Sequence, residues 1–225
     1  MSYDNNDEDI ITINNECNNA LKYFPKVKSN FELVSNLSYD IKEILYKGCG
    51  YLPNLLCETD DLTLFTKLNN ELSFIDTDNT QNQNIINWSK HYKIENPTIS
   101  KTFNNIIDCL QKYFKIKVLA TRINYYTYDN YKPLHHDAHS FSNGDRENIT
   151  IGLSLGDSRN LIFKHVESSS IFSFPQNNGD VFYFDYLTNK KFQHGISKNT
   201  SNNTSNNTTN LNSKGRISII LWGNK

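Results

Sequence analysis

The second half of the chain alternates short runs of β-branched and aromatic residues with turn residues, and this alternation constrains the fold most. Gly-Asp pairs at 156–157 and 179–180 mark two of the turns. We interpret seven runs as strands: residues 118–128, 148–156, 160–166, 170–175, 179–187, 191–196 and 216–223. Strands this short and this closely spaced favour a double-sheet β-barrel of jelly-roll type.

The region before these strands carries helical periodicity in two places. One apolar face contains Leu62, Phe65, Leu68 and Leu72, and a second contains Phe103, Ile106, Ile107, Leu110 and Phe114. We therefore expect an α+β fold in which N-terminal helices pack on one face of the β core.

A length of 225 residues suits one domain. We expect that domain to span residues 21–225, with a helical or mixed lead-in over 21–116 and the β core over 117–225. Residues 1–20 are acidic and rich in asparagine, which predicts a disordered tail. The Asn/Ser/Thr tract at 197–214 predicts a flexible surface loop between the last two strands.

The charge and hydropathy of the chain exclude some classes of partner. A formal net charge of −1 provides no overall attraction to phosphate or to an anionic membrane. No apolar run approaches eighteen residues and the N-terminus is acidic, so we expect neither a membrane span nor a signal peptide. We expect an intracellular monomer, in the cytoplasm or nucleus, with no membrane partner.

Three polar residues of the β-rich half have the chemistry of a metal site. His135 and Asp137 lie two residues apart, so both side chains point to the same side where a strand runs into a loop. His194 lies in a later strand. Two histidines and one carboxylate that leave open positions are typical of non-heme Fe(II) oxygenases, whereas a structural zinc site is closed by four protein ligands.

A cation near the C-terminus interrupts an otherwise apolar strand. Arg216 begins the run "RISIILWG", and a guanidinium buried there is costly unless a carboxylate meets it. Ser218 lies two residues on and faces the same side. Arginine pairs with carboxylates through two directional hydrogen bonds, so Arg216 suits the far end of a dicarboxylate.

Together these motifs resemble the 2-oxoglutarate/Fe(II) dioxygenases, and more closely their AlkB-like branch. The shared order is Asn124-x-Tyr126, then His135-x-Asp137 with His135 eleven residues after Asn124, then His194, then Arg216-x-Ser218. The runs "NITIGLSLGDSRNLIFKH" and "GDVFYFDYLTNKKFQHGI" also look like central strands of that branch. The resemblance covers roughly residues 97–224 and implies a double-stranded β-helix core.

The resemblance implies Fe(2+) bound by His135, Asp137 and His194, with 2-oxoglutarate and molecular oxygen as cosubstrates. Arg216, Ser218 and Tyr126 would hold the far carboxylate of 2-oxoglutarate, and Asn124 would assist at the keto-acid end. It further implies oxidative demethylation or hydroxylation of an alkylated nucleic-acid base. The alternatives are a hydroxylase or demethylase of a protein side chain or small molecule, and a non-catalytic metal-binding module.

Several positions depart from the branch or compete with the ligand set. The branch typically ends in R-x-N-x-x-x-R, whereas Ser218 and Trp222 occupy the last two of these positions here, which favours the protein or small-molecule alternative. His139 stands where some AlkB-like enzymes carry an acidic residue that contacts the base. We expect His136 to face solvent or to contact the ligands from outside. His91 and His165 are read as ordinary surface or core histidines.

Overall fold

The computed structural model describes residues 47–72, 84–86, 91–142, 144–169, 171–197 and 214–225. The predicted N-terminal tail at 1–20 and nearly all of the predicted loop at 197–214 lie outside these residues. Within them, no helix has both the length and the apolar composition needed to cross a membrane.

The described elements are mostly strands. The helices whose two ends lie within the described residues are α1 (Thr63–Glu71), α2 (Lys101–Phe114) and α3 (Tyr186–Lys191). The strands are β1 (Cys49–Leu52), β2 (Asn84–Ile86), β3 (His91–Glu95), β4 (Lys117–Tyr126), β5 (Lys132–His135), β6 (Phe141–Ser142), β7 (Asp145–Arg146), β8 (Ile149–Gly156), β9 (Arg159–His165), β10 (Ile171–Gln176), β11 (Val181–Asp185), β12 (Phe192–Ile196) and β13 (Arg216–Asn224).

Two antiparallel sheets carry the fold. The larger has seven strands in the order β1-β11-β8-β13-β4-β3-β2, and the smaller has four in the order β10-β9-β12-β5. β6 and β7 form a separate hairpin. The lead-in region contributes β1 to one edge of the larger sheet and β2 and β3 to the other, so this sheet extends beyond the strands expected from the sequence.

Alternation along β13 separates two environments. Ile217, Ile219 and Leu221 belong to an apolar cluster shared with buried side chains of both α1 and α2. Ile220 and Trp222 belong to a second cluster, which contains Phe163 and other side chains of the smaller sheet. Because successive strand residues face opposite sides, Arg216 and Ser218 share the second side with Ile220 and Trp222.

The two helices expected from the apolar spacing are confirmed. α2 begins after Ser100, whose hydroxyl accepts a hydrogen bond from the Phe103 backbone N–H at 3.0 Å. It ends at Phe114 and is followed by Lys115, which adopts the left-handed conformation with φ of 53°. All five apolar residues of its predicted face are buried or half-buried in the first cluster.

One expected strand ends earlier than its sequence pattern indicates. The run 179–187 was expected to be extended throughout, but β11 ends at Asp185. The Asp185 carboxylate accepts a hydrogen bond from the Thr188 backbone N–H at 2.8 Å, which starts α3. Helix α3 then returns the chain directly into β12.

Candidate metal centre and cosubstrate pocket

A pocket lies between the two sheets. Its lining combines polar side chains with an apolar wall. The lining residues are Asn124, Tyr126, Lys132, His135, Asp137, Thr150, Leu161, Phe182, His194, Gly195, Ile196, Ser218, Ile220 and Trp222.

Strand pairing brings the two histidines of the candidate metal site together. β12 pairs with β5 so that His194 lies directly opposite His135, and their ring centroids are 4.3 Å apart. Asp137 follows β5 by two residues, and its Oδ1 lies 3.6 Å from His135 Nε2 and 3.5 Å from His194 Nε2. One potential ligand atom from each residue lies within 4.8 Å of the other two, so the three side chains could hold a metal ion together.

A backbone carbonyl sets the orientation of the His135 ring. His135 Nδ1 lies 3.0 Å from the Pro133 carbonyl oxygen. Since a carbonyl can only accept, Nδ1 carries the proton, and in the neutral ring the lone pair is on Nε2. That nitrogen faces Asp137, which is the arrangement expected of a metal-binding imidazole held by an outer hydrogen bond.

The second oxygen of Asp137 is held by two donors. The indole N–H of Trp222 and the hydroxyl of Thr150 each donate to Oδ2 over 2.9 Å. Trp222 and Thr150 are direct partners in the pairing of β13 with β8, which is why both reach the same oxygen. Only Oδ1 is left to face the two histidines.

The backbone of Asp137 is held as well. Asn189, from α3, accepts a hydrogen bond from the Asp137 N–H at 3.0 Å and donates to the Asp137 carbonyl at 2.9 Å. His136 is exposed, as expected, and its Nδ1–H donates to the Asn189 carbonyl at 2.5 Å. The short helix α3 therefore fixes the segment that carries the carboxylate.

His139 does not line the pocket. It is 3% exposed, and its Nε2 lies 2.9 Å from Thr150 Oγ1. Because the Thr150 hydroxyl donates to Asp137, its oxygen accepts from His139. In the sequence, His139 stands at a position that contacts the base in some AlkB-like enzymes. In the structure its side chain instead contacts Thr150, which holds the Asp137 carboxylate.

The electrostatics of the triad suit a divalent cation. Burial alone would raise the pKa of the Asp137 carboxyl, but its interaction with His194 and its contact with the His135 ring hold that pKa well below its ordinary value. Burial lowers the pKa of His194 to about 4. The lowered pKa keeps Asp137 anionic at neutral pH, which is the protonation state that metal binding requires of a carboxylate.

Arg216 is the largest fully buried side chain of the described residues, at 0% exposure. Its Nε donates to Ser154 Oγ at 2.9 Å, but neither Nη1 nor Nη2 has a hydrogen-bond partner among the described residues. Burial lowers the pKa of Arg216 to about 10, so the group stays cationic at neutral pH. An unpaired buried cation of this kind fits a carboxylate ligand.

The other residues expected to contact a cosubstrate form a patch beside Arg216. In the pairing of β13 with β4, Arg216 lies opposite Tyr126 and Ser218 lies opposite Asn124. The Arg216 guanidinium carbon is 5.2 Å from the centre of the Tyr126 ring. Tyr126, Asn124 and Ser218 all line the pocket that contains the metal-binding triad.

Several residues of the site escaped the sequence interpretation. Thr150, Asn189 and Trp222 hold Asp137, and Lys132 lines the pocket with a pKa lowered to about 8 by burial. His91 is fully buried and contacts Asn124. Of these residues, only Trp222 could have been placed on the pocket side from the sequence, because it alternates along β13 with the same two-residue period as Arg216 and Ser218.

Comparisons with known proteins identify the family of this chain and a similar fold. A family model described as the 2OG-Fe(II) oxygenase superfamily matches residues 66–221, which is more than half of the chain. No curated protein matches in sequence. Among solved structures, the chain is similar to a prolyl-4-hydroxylase from Pseudomonas putida, with a TM-score of 0.50 and 11% identity over 82% of this chain and 96% of that chain. At this identity the likeness shows a shared fold.

Proposed function

The chain belongs to the 2OG-Fe(II) oxygenase superfamily, and from this membership we propose that His135, Asp137 and His194 bind its Fe(II). The protein is a 2-oxoglutarate-dependent dioxygenase, and the family uses Fe(II), 2-oxoglutarate and O2. The His135 tautomer and the ionised Asp137 carboxylate support the assignment, because both present lone pairs to a common point.

The unpaired guanidinium of Arg216 is the observation that carries the proposal furthest. Its two terminal nitrogens match the two oxygens of a carboxylate, and no carboxylate of the described residues lies within ion-pair distance. We assign the far carboxylate of 2-oxoglutarate to this position. Ser218 and Tyr126 add hydroxyl groups beside it, and Asn124 assists at the keto-acid end.

The bound metal supplies oxidation: O2 and 2-oxoglutarate are consumed, succinate and CO2 are released, and one oxygen atom enters a substrate C–H bond. The chain itself orients the reactants. Trp222 and Thr150 leave one carboxylate oxygen of Asp137 for the metal, and Arg216 fixes the distance of the cosubstrate from it. Leu161, Phe182 and other apolar lining residues limit the access of water.

The sheet arrangement supports a double-stranded β-helix as the core. The triad comes from β5, from the residues directly after it and from β12 of the smaller sheet, whereas Arg216 and Ser218 come from β13 of the larger sheet. The pocket thus lies between the sheets. We propose that residues 21–225 form one domain around it.

For the substrate, the proposal is an alkylated nucleic-acid base, as in the AlkB-like branch. It is supported by Asn124 and Tyr126, which have the branch's spacing to His135 and line the pocket. Hydroxylation of a methyl group on nitrogen gives a product that breaks down to formaldehyde and the demethylated amine. The alternative, a protein side chain or small molecule, is favoured by Trp222 at the position of the second arginine and by the net charge of −1.

Formaldehyde release from a substrate panel distinguishes these substrates. The panel contains single- and double-stranded oligonucleotides with N-methylated bases, methyl-lysine peptides and small N-methylamines. The proposal predicts release from an oligonucleotide by the wild type and none by Asp137→Ala. Release from peptides or amines alone would replace the nucleic-acid substrate by the alternative.

A further inference from the structure

His91 is the first residue of β3 and lies outside the candidate metal site. It contacts Asn124 and Tyr126, two of the residues assigned to 2-oxoglutarate. It is 0% exposed in the described structure. Its sequence neighbourhood offers no motif, and it lies 33 residues before Asn124. β3 is nevertheless the strand next to β4, so it runs alongside the strand that carries Asn124 and Tyr126.

Two contacts tie His91 to this patch. Its Nε2 lies 3.2 Å from Asn124 Oδ1, and both groups are buried. Its ring also stacks on Tyr126, with centroids 4.7 Å apart and planes inclined by 18°. The same imidazole therefore touches both β4 residues assigned to 2-oxoglutarate.

The hydrogen bond determines what Asn124 offers to the pocket. An amide oxygen only accepts, so the His91 ring nitrogen donates to it. With Oδ1 engaged in this way, the NH2 group of Asn124 is the remaining polar group of the side chain, and Asn124 lines the pocket. An NH2 group is a donor for a carboxylate or a keto oxygen, whereas a reversed amide would present an oxygen that repels both.

The imidazole acts here as a neutral donor. Burial lowers the pKa of His91 to about 4, and the positive charge of Lys132 acts in the same direction. At neutral pH the ring carries one N–H and no charge. It therefore orients the amide without competing with Arg216 for an anion.

We propose that His91 is a positioning residue for 2-oxoglutarate, which fixes the amide orientation of Asn124 and the ring plane of Tyr126. The inference rests on the proposed function, since it assumes that Asn124 and Tyr126 contact the cosubstrate. In this proposal, β3 of the larger sheet supports the residues that contact the keto-acid end of 2-oxoglutarate. His91 itself touches neither the metal-binding triad nor the far carboxylate in this assignment.

The test compares metal and cosubstrate affinities of His91→Phe with those of the wild type. Phenylalanine keeps a flat ring against Tyr126 and removes the N–H. With Mn(II) in place of Fe(II), calorimetry should show the 2-oxoglutarate Kd raised roughly tenfold, as expected for one buried hydrogen bond. The Mn(II) Kd should stay within about twofold. His165→Phe is the matched control, because His165 is also buried, lies in β9, pairs with Ser168 and does not line the pocket.

A double-mutant cycle separates positioning from a general structural role. If His91 acts through Asn124, His91→Phe has little further effect on the 2-oxoglutarate Kd once Asn124→Ala is present. Independent, additive losses would overturn the inference, as would an unchanged Kd in His91→Phe or an equal loss of Mn(II) affinity. Absence of 2-oxoglutarate binding to the wild type would instead refute the proposed function.

A measurement on the wild type covers the case in which His91→Phe does not fold. Nitrogen NMR of histidine-labelled protein should show a protonated, slowly exchanging Nε2 for His91. An unprotonated Nε2 would contradict the inference, because Asn124 would then have to donate to His91.

Discussion

Trp222 donates its indole N–H to Oδ2 of Asp137 over 2.9 Å, from the strand position where AlkB-like chains carry a second arginine. A neutral donor at this place holds the carboxylate without compensating its charge. Together with the Thr150 hydroxyl it occupies Oδ2 and leaves Oδ1 for the two histidines. The departure from the branch pattern is therefore compatible with an intact metal site.

Removal of this donor should weaken metal binding. Trp222→Phe keeps an aromatic ring beneath the Arg122 guanidinium, which lies 4.9 Å from the indole, but loses the N–H. We expect Mn(II) affinity to fall about tenfold, the lower end for an outer hydrogen bond to a ligand. Titration of the apoprotein measures it, with Ile220→Val on the same face of β13 as the control. Equal affinities in Trp222→Phe and wild type would show that the indole N–H is not needed to position Asp137.

Asn189 should matter for the stability of the protein. Asn189→Ala removes two hydrogen bonds to the Asp137 backbone and leaves buried polar groups unsatisfied. A cost of roughly 2 kcal/mol corresponds to a Tm lower by about 4–8 °C in a chain of this size. Calorimetry of the apoprotein measures the shift. Lys190→Ala, an exposed neighbour on α3, should leave Tm within about 1 °C.

Arg216 should lower the stability of the ligand-free protein and be required for 2-oxoglutarate binding. A buried guanidinium whose terminal nitrogens lack partners destabilises the protein when no ligand is bound. Arg216→Met should therefore raise the Tm of the apoprotein while 2-oxoglutarate binding is lost. In the wild type, 2-oxoglutarate with Mn(II) should raise Tm, and in the variant it should not. A lower Tm of ligand-free Arg216→Met would argue that the guanidinium is already satisfied.

The depressed pKa of His91 predicts a loss of stability in acid. An unfolded histidine has a pKa of about 6.5, and burial lowers that of folded His91 to about 4. Between these values the unfolded chain binds more protons, so stability falls as pH decreases from about 6.5 to 4 and is unaffected above that window. The contribution is roughly 2–3 kcal/mol. Urea unfolding of the apoprotein at pH 7 and pH 4 should show a smaller loss in His91→Phe; an identical loss would contradict the assignment.

Local patterns predicted the elements whose determinants are local. The apolar spacing of Phe103, Ile106 and Leu110 placed helix α2, since helix burial repeats within a few residues. His135 and Asp137 fall on the same side because they lie two positions apart in the sequence. The early end of β11 was missed because a single side chain, Asp185, caps α3 and overrides an otherwise continuous apolar run.

The contacts that the sequence could not predict join residues that are far apart in the chain. Thr150 and Trp222 meet Asp137 only because β8 and β13 are neighbours in the larger sheet. Asn189 lies 52 residues from the aspartate that it holds, and His91 contacts Asn124 from the neighbouring strand. No short-range periodicity encodes such contacts. The assignments of ligands and cosubstrate contacts remain predictions that binding experiments can test.

The most direct test of the central claim is an anaerobic absorption titration. Fe(II) followed by 2-oxoglutarate should give a weak visible metal-to-ligand charge-transfer band in the wild type. The band should be absent in Asp137→Ala and require much higher 2-oxoglutarate concentrations in Arg216→Met. A wild type that binds Fe(II) and 2-oxoglutarate without a band, or a band that persists in Asp137→Ala, would contradict the proposed site.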